Sequence, residues 1–288
     1  MSSLVAYLAI AVLGIVLGAF TLWKKRRTYR ISTLILFFLF TACITWFGEF
    51  VVLGIFNGYA YKPGVFADPW AENLTAHMLL NATIYPATAL LLAGFSLGAI
   101  GVIGITGFFV LWEYVFVVLG FYEQYWWNYG MSAVNIIIFL AVAQTWFHKM
   151  IRVQRGRTRD TVLYFVCFFI IHLPYPILLL LGKEHYEVSL LEHLVDNRYR
   201  ASTIIIFSYH LAEAVVFIYL ICVLGKWYGK LAAYTVAVGG QALLTAMGVL
   251  RFAEGWNLYG TLVVSVAGLT IFILLEKYTL KPPDEQGW

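Results

Sequence analysis

Charge is what this chain has least of. Only 12% of its 288 residues are Asp, Glu, Lys or Arg, while 62% are hydrophobic. A soluble domain carries about 25% charged and about 45–50% apolar residues. No water-soluble core of this size hides so much apolar side chain, so the soluble globular classes are excluded and the solvent for most of the chain is a bilayer. The net charge of +4 then points to no nucleic-acid partner, and the basic residues read as signals of membrane sidedness.

Cysteine is nearly as scarce. Cys43, Cys167 and Cys222 all lie in apolar runs and none has a C-x-x-C neighbour. They read as small buried hydrophobes, which excludes a disulfide framework and a zinc site. There is no Walker loop and no H-E-x-x-H, so no nucleotide or metal cofactor is expected. The last apolar run also has no central lysine to carry a retinal.

What is present is a series of apolar runs of roughly 20 residues, the length that spans a bilayer as a helix. They fall at about 4–23, 31–56, 75–96, 99–121, 131–148, 161–181, 202–224, 230–250 and 257–277. The first carries its basic residues after the apolar run, which predicts a retained span and not a signal peptide. Nine crossings put 14 of the 19 basic residues on one side, among them Lys24, Arg26, Lys149, Arg155, Lys226 and Lys281. The other side keeps Lys62, Lys183, Arg198, Arg200 and Arg251. By the positive-inside rule the richer side is cytoplasmic, with the N-terminus outside and the C-terminus inside. The fold expected is therefore an all-α bundle of about nine spans, a five-span half over 1–150 and a four-span half over 151–288.

The outer loops are rich in Tyr and Trp, which favour the headgroup interface. Internal likenesses run through the chain. "WFGEFVVLGIF" is similar to "LWEYVFVVLGFY", and "WWNYGMSAVNII" at 126–137 is similar to "GWNLYGTLVVSV" at 255–266. Repeated helical hairpins are one way to build a polytopic bundle.

Against this apolar background the ionisable residues stand out. Placing one in the bilayer core costs about 2.5–3.5 kcal/mol on insertion scales, so each carries a presumption of function. Glu49, Glu113, His172, His210 and Glu213 fall roughly 10–18 Å below the outer surface at about 1.5 Å of helix rise per residue. One polar layer is expected, with His210 and Glu213 on a single helix face. Such a layer supports three chemistries. It can do acid–base work on a greasy substrate, with Trp and Tyr faces such as Trp46, Trp112 and Tyr209 stabilising positive charge. It can load and release protons in a transporter. It can also ligate metal between helices, though too few ligands stand at set spacing for that. Polar bonds between helices are the purely structural alternative.

Two resemblances add to this. "ITWFGEFVVLGIFNGYAYKPGVFADPW", "NATIYP" and "WEYVFVVLGFY" resemble an uncharacterised membrane-protein family of spore-forming bacteria, which implies a bacterial plasma membrane and transfers no activity. "FIIHL", "LLEHLVDNRYRAS", "YHLAEAVVFIY" and "AVGGQALLTAMGVLRFAE" resemble the EXPERA domain of the emopamil-binding sterol isomerase. Integral-membrane terpene cyclases are also similar, in size and in their scattered acids. The EXPERA resemblance implies a lipid-sized pocket, a functional acid at Glu213, a histidine at His172, and matched Gln241 and Glu254. Pro176 stands where the isomerase has a second acid, and Thr245 or Ala246 where it has an Asp. The expectation is an acid–base enzyme or binder acting on an isoprenoid or other lipid. Glu213 and His172 are the acid–base pair and His210 supports them. Glu49 and Glu113 line the cavity. The rivals are a proton-coupled transporter and an accessory protein.

Overall fold

The computed structural model describes residues 2–152, 156–188, 195 and 197–280. Arg155, Lys281 and part of the 190–202 segment lie outside the described residues. Helix dominates, and the chain divides into two compact units, Met1–Gln154 and Arg155–Trp288.

The first unit begins with α1 (Ser3–Lys25) and α2 (Ile31–Glu49). A π-helical turn, Phe50–Ile55, continues α2 into β1 (Tyr59–Tyr61). Asp68 then starts α3 (Pro69–Asn81): its side chain accepts from the backbone N–H groups of Trp70 and Ala71, with proline at the first helical position, where the missing N–H costs nothing. Pro86 interrupts the run, because its ring clashes with the carbonyl four residues back and it donates no hydrogen bond. The helix breaks at Ala82–Thr83 and resumes as α4 (Ile84–Phe95). Ser96 and Gly98, both at positive φ, turn the chain into α5 (Gly98–Val118), which leads through β2 (Tyr122–Gln124) to α6 (Tyr129–Arg152).

The second unit runs α7 (Arg157–His172), α8 (Pro174–Leu180), β3 (Glu184–Tyr186) and α9 (Arg198–Phe217), which extends into a π-helical turn at Ile218–Val223. It finishes with α10 (Trp227–Ala246), β4 (Leu250–Phe252) and α11 (Leu258–Tyr278).

Among the described residues, eight helical stretches are long and apolar enough to cross a bilayer. They coincide with eight of the expected spans once α2, α3–α4, α7–α8 and α9 are read through their interruptions. At the remaining position, 230–250, stands α10. It is 20 residues long, but its Lys230, Gln241, glycines and threonines dilute its apolar character.

Each unit repeats one frame. β1 pairs antiparallel with β2, with Tyr59 opposite Gln124, and β3 pairs with β4, with Glu184 opposite Phe252. Flanking backbone bonds recur in both units. Lys62 N–H donates to the Phe121 carbonyl as Glu187 N–H does to Val249, and Tyr125 to Gly58 as Ala253 to Lys183. The turns ending α5 and α10 match as well: Phe121 bonds back to Phe116 and Val249 to Leu244, after glycines at positive φ, Gly120 and Gly248. Asn73 takes the Tyr61 N–H and Ser202 takes the Tyr186 N–H. The start of the last helix is held the same way in both units. Trp127 Nε1 donates to Ser132 Oγ at 2.7 Å and Trp256 Nε1 to Thr261 Oγ1 at 3.0 Å. Asn128 and Asn257 each cap the N–H three residues on. The sequence likeness between 126–137 and 255–266 is therefore a shared structural device.

In this frame α1 is the additional helix of the first unit. It turns Ala6, Ala11, Gly14, Gly18 and Thr21 inward, the small-residue face by which membrane helices approach closely. A Cβ on Gly14 would lie 2.6–2.7 Å from backbone atoms of Thr83 and Ile84, so α1 and α4 touch backbone to backbone there.

Candidate functional site: an acidic, aromatic cavity

The first unit encloses a cavity of about 200 Å³. Glu49, at the end of α2, and Glu113, on α5, both line it, as do Asn81 and Tyr85 from the α3–α4 break. Its walls are aromatic: Tyr59 and Tyr61 of β1, Tyr122 of β2, and Phe109, Trp112 and Phe116 of α5. Tyr59, Tyr61 and Tyr122 form a cluster with ring centroids 5.1–5.3 Å apart, and Tyr85 stacks on Phe109 at 4.8 Å. Burial pushes the phenols of Tyr59, Tyr61 and Tyr122 well above the ordinary tyrosine range, with Glu49 nearby adding to the effect. They are neutral O–H groups.

Each carboxylate is held by donors. Glu49 Oε1 accepts from Tyr61 Oη at 2.7 Å, and Oε2 lies 2.8 Å from His77 Nδ1. The His77 carbonyl accepts from Asn81 Nδ2 at 2.9 Å, and Trp46 covers the imidazole edge-on at 4.3 Å. Glu113 Oε1 accepts from Gln124 Nε2 at 2.7 Å. Ser132 is its second partner, and Ser132 is itself fixed by the Trp127 indole.

The histidines expected in the same layer belong to the second unit. His172 ends α7 and His210 lies on α9, both fully buried, with their Nδ1 atoms 3.4 Å apart. Glu213 accepts from Tyr209 Oη at 3.1 Å, and its other oxygen is 4.0 Å from His210 Nε2. Gln241, fully buried, donates to Tyr175 Oη at 3.1 Å, and Tyr175 bonds in turn to Ser265. Glu254 lies exposed in the turn after β4. The five intramembrane residues thus form two groups: Glu49 and Glu113 in one unit, His172, His210 and Glu213 in the other.

The repeated frame allows a position-by-position comparison. The step that carries Gly120 to Gly248 and Phe116 to Leu244 carries Glu113 to Gln241. Glu49, upstream of the π turn, corresponds to the Pro174–Tyr175 pair. The second unit therefore builds the same strand pairing, the same indole latch and the same helix caps with an amide and a phenol in place of the two acids.

His77 lies near the start of its expected span, 75–96, and so did not stand out among the intramembrane residues. The break at Ala82–Thr83 lets α3 carry it inward to Glu49. Tyr61 and Asn81 were missed for a related reason: both come from segments that look like interface and loop until β1 and β2 pair. Glu72 is another buried acid without a sequence signal. It accepts the backbone N–H groups of Gly64, Val65 and Phe66 and so staples the β1–α3 loop. Gly94-Phe95-Ser96-Leu97-Gly98 has the spacing of a nucleophile elbow, but Ser96 lies exposed in a helix–helix turn, not the strand–turn–helix that such a serine needs. Among the described residues no three His, Cys, Asp or Glu side chains come together as a metal site.

These features define a multi-pass helical membrane protein with an acid-bearing cavity in its first unit. Comparison with known protein families, curated proteins and solved structures finds no match to the chain.

Proposed function

We propose that this protein takes a small, largely apolar molecule from the bilayer into the cavity of its first unit and does acid–base work on it there, as an enzyme or enzyme-derived binder for an isoprenoid or other lipid. One observation carries this. Two glutamates meet in an aromatic cavity, while the second unit keeps the same frame without them. Acids that only held helices together would be needed in both copies. The Glu49–His77 pair is the proton relay and Glu113 is the opposing acid, with Tyr and Trp faces to stabilise positive charge between them. His172, His210 and Glu213 are a second acid–base cluster, to which the EXPERA resemblance assigns the same kind of chemistry.

The threading proposed is nine spans with α10 among them, N-terminus outside and C-terminus cytoplasmic, in a bacterial plasma membrane. The test is mass spectrometry of lipids that co-purify with the wild-type protein and with Glu49→Gln and Glu113→Gln. A lipid or isoprenoid should be retained by the wild type, and the variants should fold normally while changing its amount or its conversion. An unchanged lipid profile in the double Gln variant would remove the acids from the function.

The repeated four-helix frame favours one alternative, a proton-coupled transporter, since many transporters are built from internal repeats. Proteoliposomes under an imposed pH gradient separate the two: a transporter acidifies or alkalinises the lumen with substrate, an enzyme does not.

A further inference from the structure

We infer that the cavity of the first unit takes a lipophilic ammonium ion, an amine or quaternary ammonium head on an apolar tail with no anionic group beside it. The inference names the ligand class of the site proposed above and rests on that reading.

Charge selects the head. Two carboxylates line the cavity and no Lys or Arg does, so a phosphate or carboxylate on the ligand would meet only its own sign. Tyr61 Oη donates to Glu49 and Gln124 Nε2 to Glu113, and a hydrogen bond donated to a carboxylate favours its charged form. The walls suit a cation as well. Tyr59, Tyr61, Tyr85, Trp112, Tyr122 and Trp127 all line the space, and a cation over such ring faces is attracted by their quadrupole, more strongly once desolvated.

An independent feature is the Asn81 side chain. It is fully buried and lines the cavity. Its Nδ2 is spent on the His77 carbonyl, and its Oδ1 has no hydrogen-bond partner. A buried acceptor left without a donor is destabilising, and an N–H or a polarised N-methyl group of an ammonium head would satisfy it.

The tail has a way out. Of the lining residues, Gly48 on α2 and Asn135 and Ile138 on α6 are exposed at the surface of the unit. Nothing lies within 4 Å of where a Cβ on Gly48 would stand, so the cavity opens sideways between α2 and α6. A volume of about 200 Å³ accepts a head group of this kind and leaves its chain to pass through that opening. In the second unit Gln241 stands in the place of Glu113, so the same frame there lacks this charge.

The experiment uses two probes of nearly identical shape, benzyltrimethylammonium and its uncharged carbon isostere neopentylbenzene. Binding to the full chain is measured by calorimetry in a maltoside detergent, which contains no ammonium groups. The cation should bind at least about tenfold more tightly than the isostere, the ratio that about 1.4 kcal/mol supplies. Glu113→Gln should lower cation affinity about tenfold and leave the isostere unchanged. Gly48→Phe should weaken a decyl-tailed ammonium more than the short probe. Equal or tighter binding of the isostere overturns the ammonium assignment and leaves the apolar-ligand reading standing. Failure of both probes, together with no co-purified lipid, overturns both. The comparison of the two probes on the wild-type protein needs no variant, so it decides the matter even if Glu113→Gln fails to fold.

Discussion

Glu184 shows how one buried acid is tolerated where no ligand is called for. It lies in β3, outside the helices, almost fully buried, and accepts from Thr261 Oγ1 at 2.6 Å and from Tyr186 Oη at 3.4 Å. Burial raises its carboxyl above the usual range, and the bonds from Thr261, Trp256 and Tyr186 offset only part of that. A raised folded-state pKa means the native protein holds the proton more tightly than the unfolded chain does. Stability is then full at low pH and falls as pH rises from the unfolded value through the folded one. Glu184→Gln should therefore match the wild type near pH 4 and melt at a progressively higher temperature than it above that window. Thermal denaturation across pH 4–9 measures this, and a gap that opens toward acid instead would show that Glu184 is needed as an anion. At this scale the sequence was only partly legible. Glu49 and Glu113 stood out because nothing around them in the chain was polar. His77, Tyr61 and Asn81 did not, since their role depends on a helix break and a strand pairing that bring distant segments together.

Among the elements, α1 is held by shape. Its inward face is alanine, glycine and threonine, and its N-terminal turn is tied to the strand end of the unit by Ser3 bonding the Lys62 carbonyl and Tyr7 Oη donating to Phe121 O at 2.8 Å. Gly14 takes the closest approach, so Gly14→Ala should cost about 1–3 kcal/mol by overpacking, and Gly14→Leu should separate α1 from α4. Denaturation of the purified variants tests this. A Gly14→Ala protein as stable as wild type would mean that α1 shifts freely along α4. Helix existence was readable from apolar run length alone. The interruptions were readable only where proline caused them, at Pro86 and at Pro174–Pro176. The π turns at Phe50–Ile55 and Ile218–Val223 left no trace, because apart from Gly54 their residues are ordinary helix or strand formers. The four short strands were equally hidden. Three residues are too few for an alternating pattern, and their pairing is set by the turns around them.

For the whole molecule, the threading makes a direct prediction. Asn57 and Gln124 lie at the paired-strand end of the first unit, and Gly255 follows β4 in the second. With the native cysteines replaced, single cysteines at these three positions should label from outside intact cells, while one at Thr158 should require permeabilisation. Labelling of Thr158 from outside would invert the arrangement. Gln286, a further position expected on the cytoplasmic side, lies outside the described residues. Apolar run length carried the helices, and the basic-residue asymmetry is what the labelling experiment tests. The likeness of the two units was visible only as two short matches, since membrane composition makes all such helices look alike. It became plain where backbone bonds, capping asparagines and indole latches fell in the same order twice.

The odd helix has a consequence for biogenesis. In the nine-pass threading each repeated unit contributes an even number of crossings, so it returns the nascent chain to the leaflet from which it departed. Only α1 alters the parity. A ribosome making a version that starts at Arg26 would still present the Arg26, Arg27 and Arg30 cluster to the inserting machinery, and that cluster would keep both units facing as before. In that proposed threading sidedness follows a few cations next to α2, so removal of α1 should leave the cavity on the same face of the membrane.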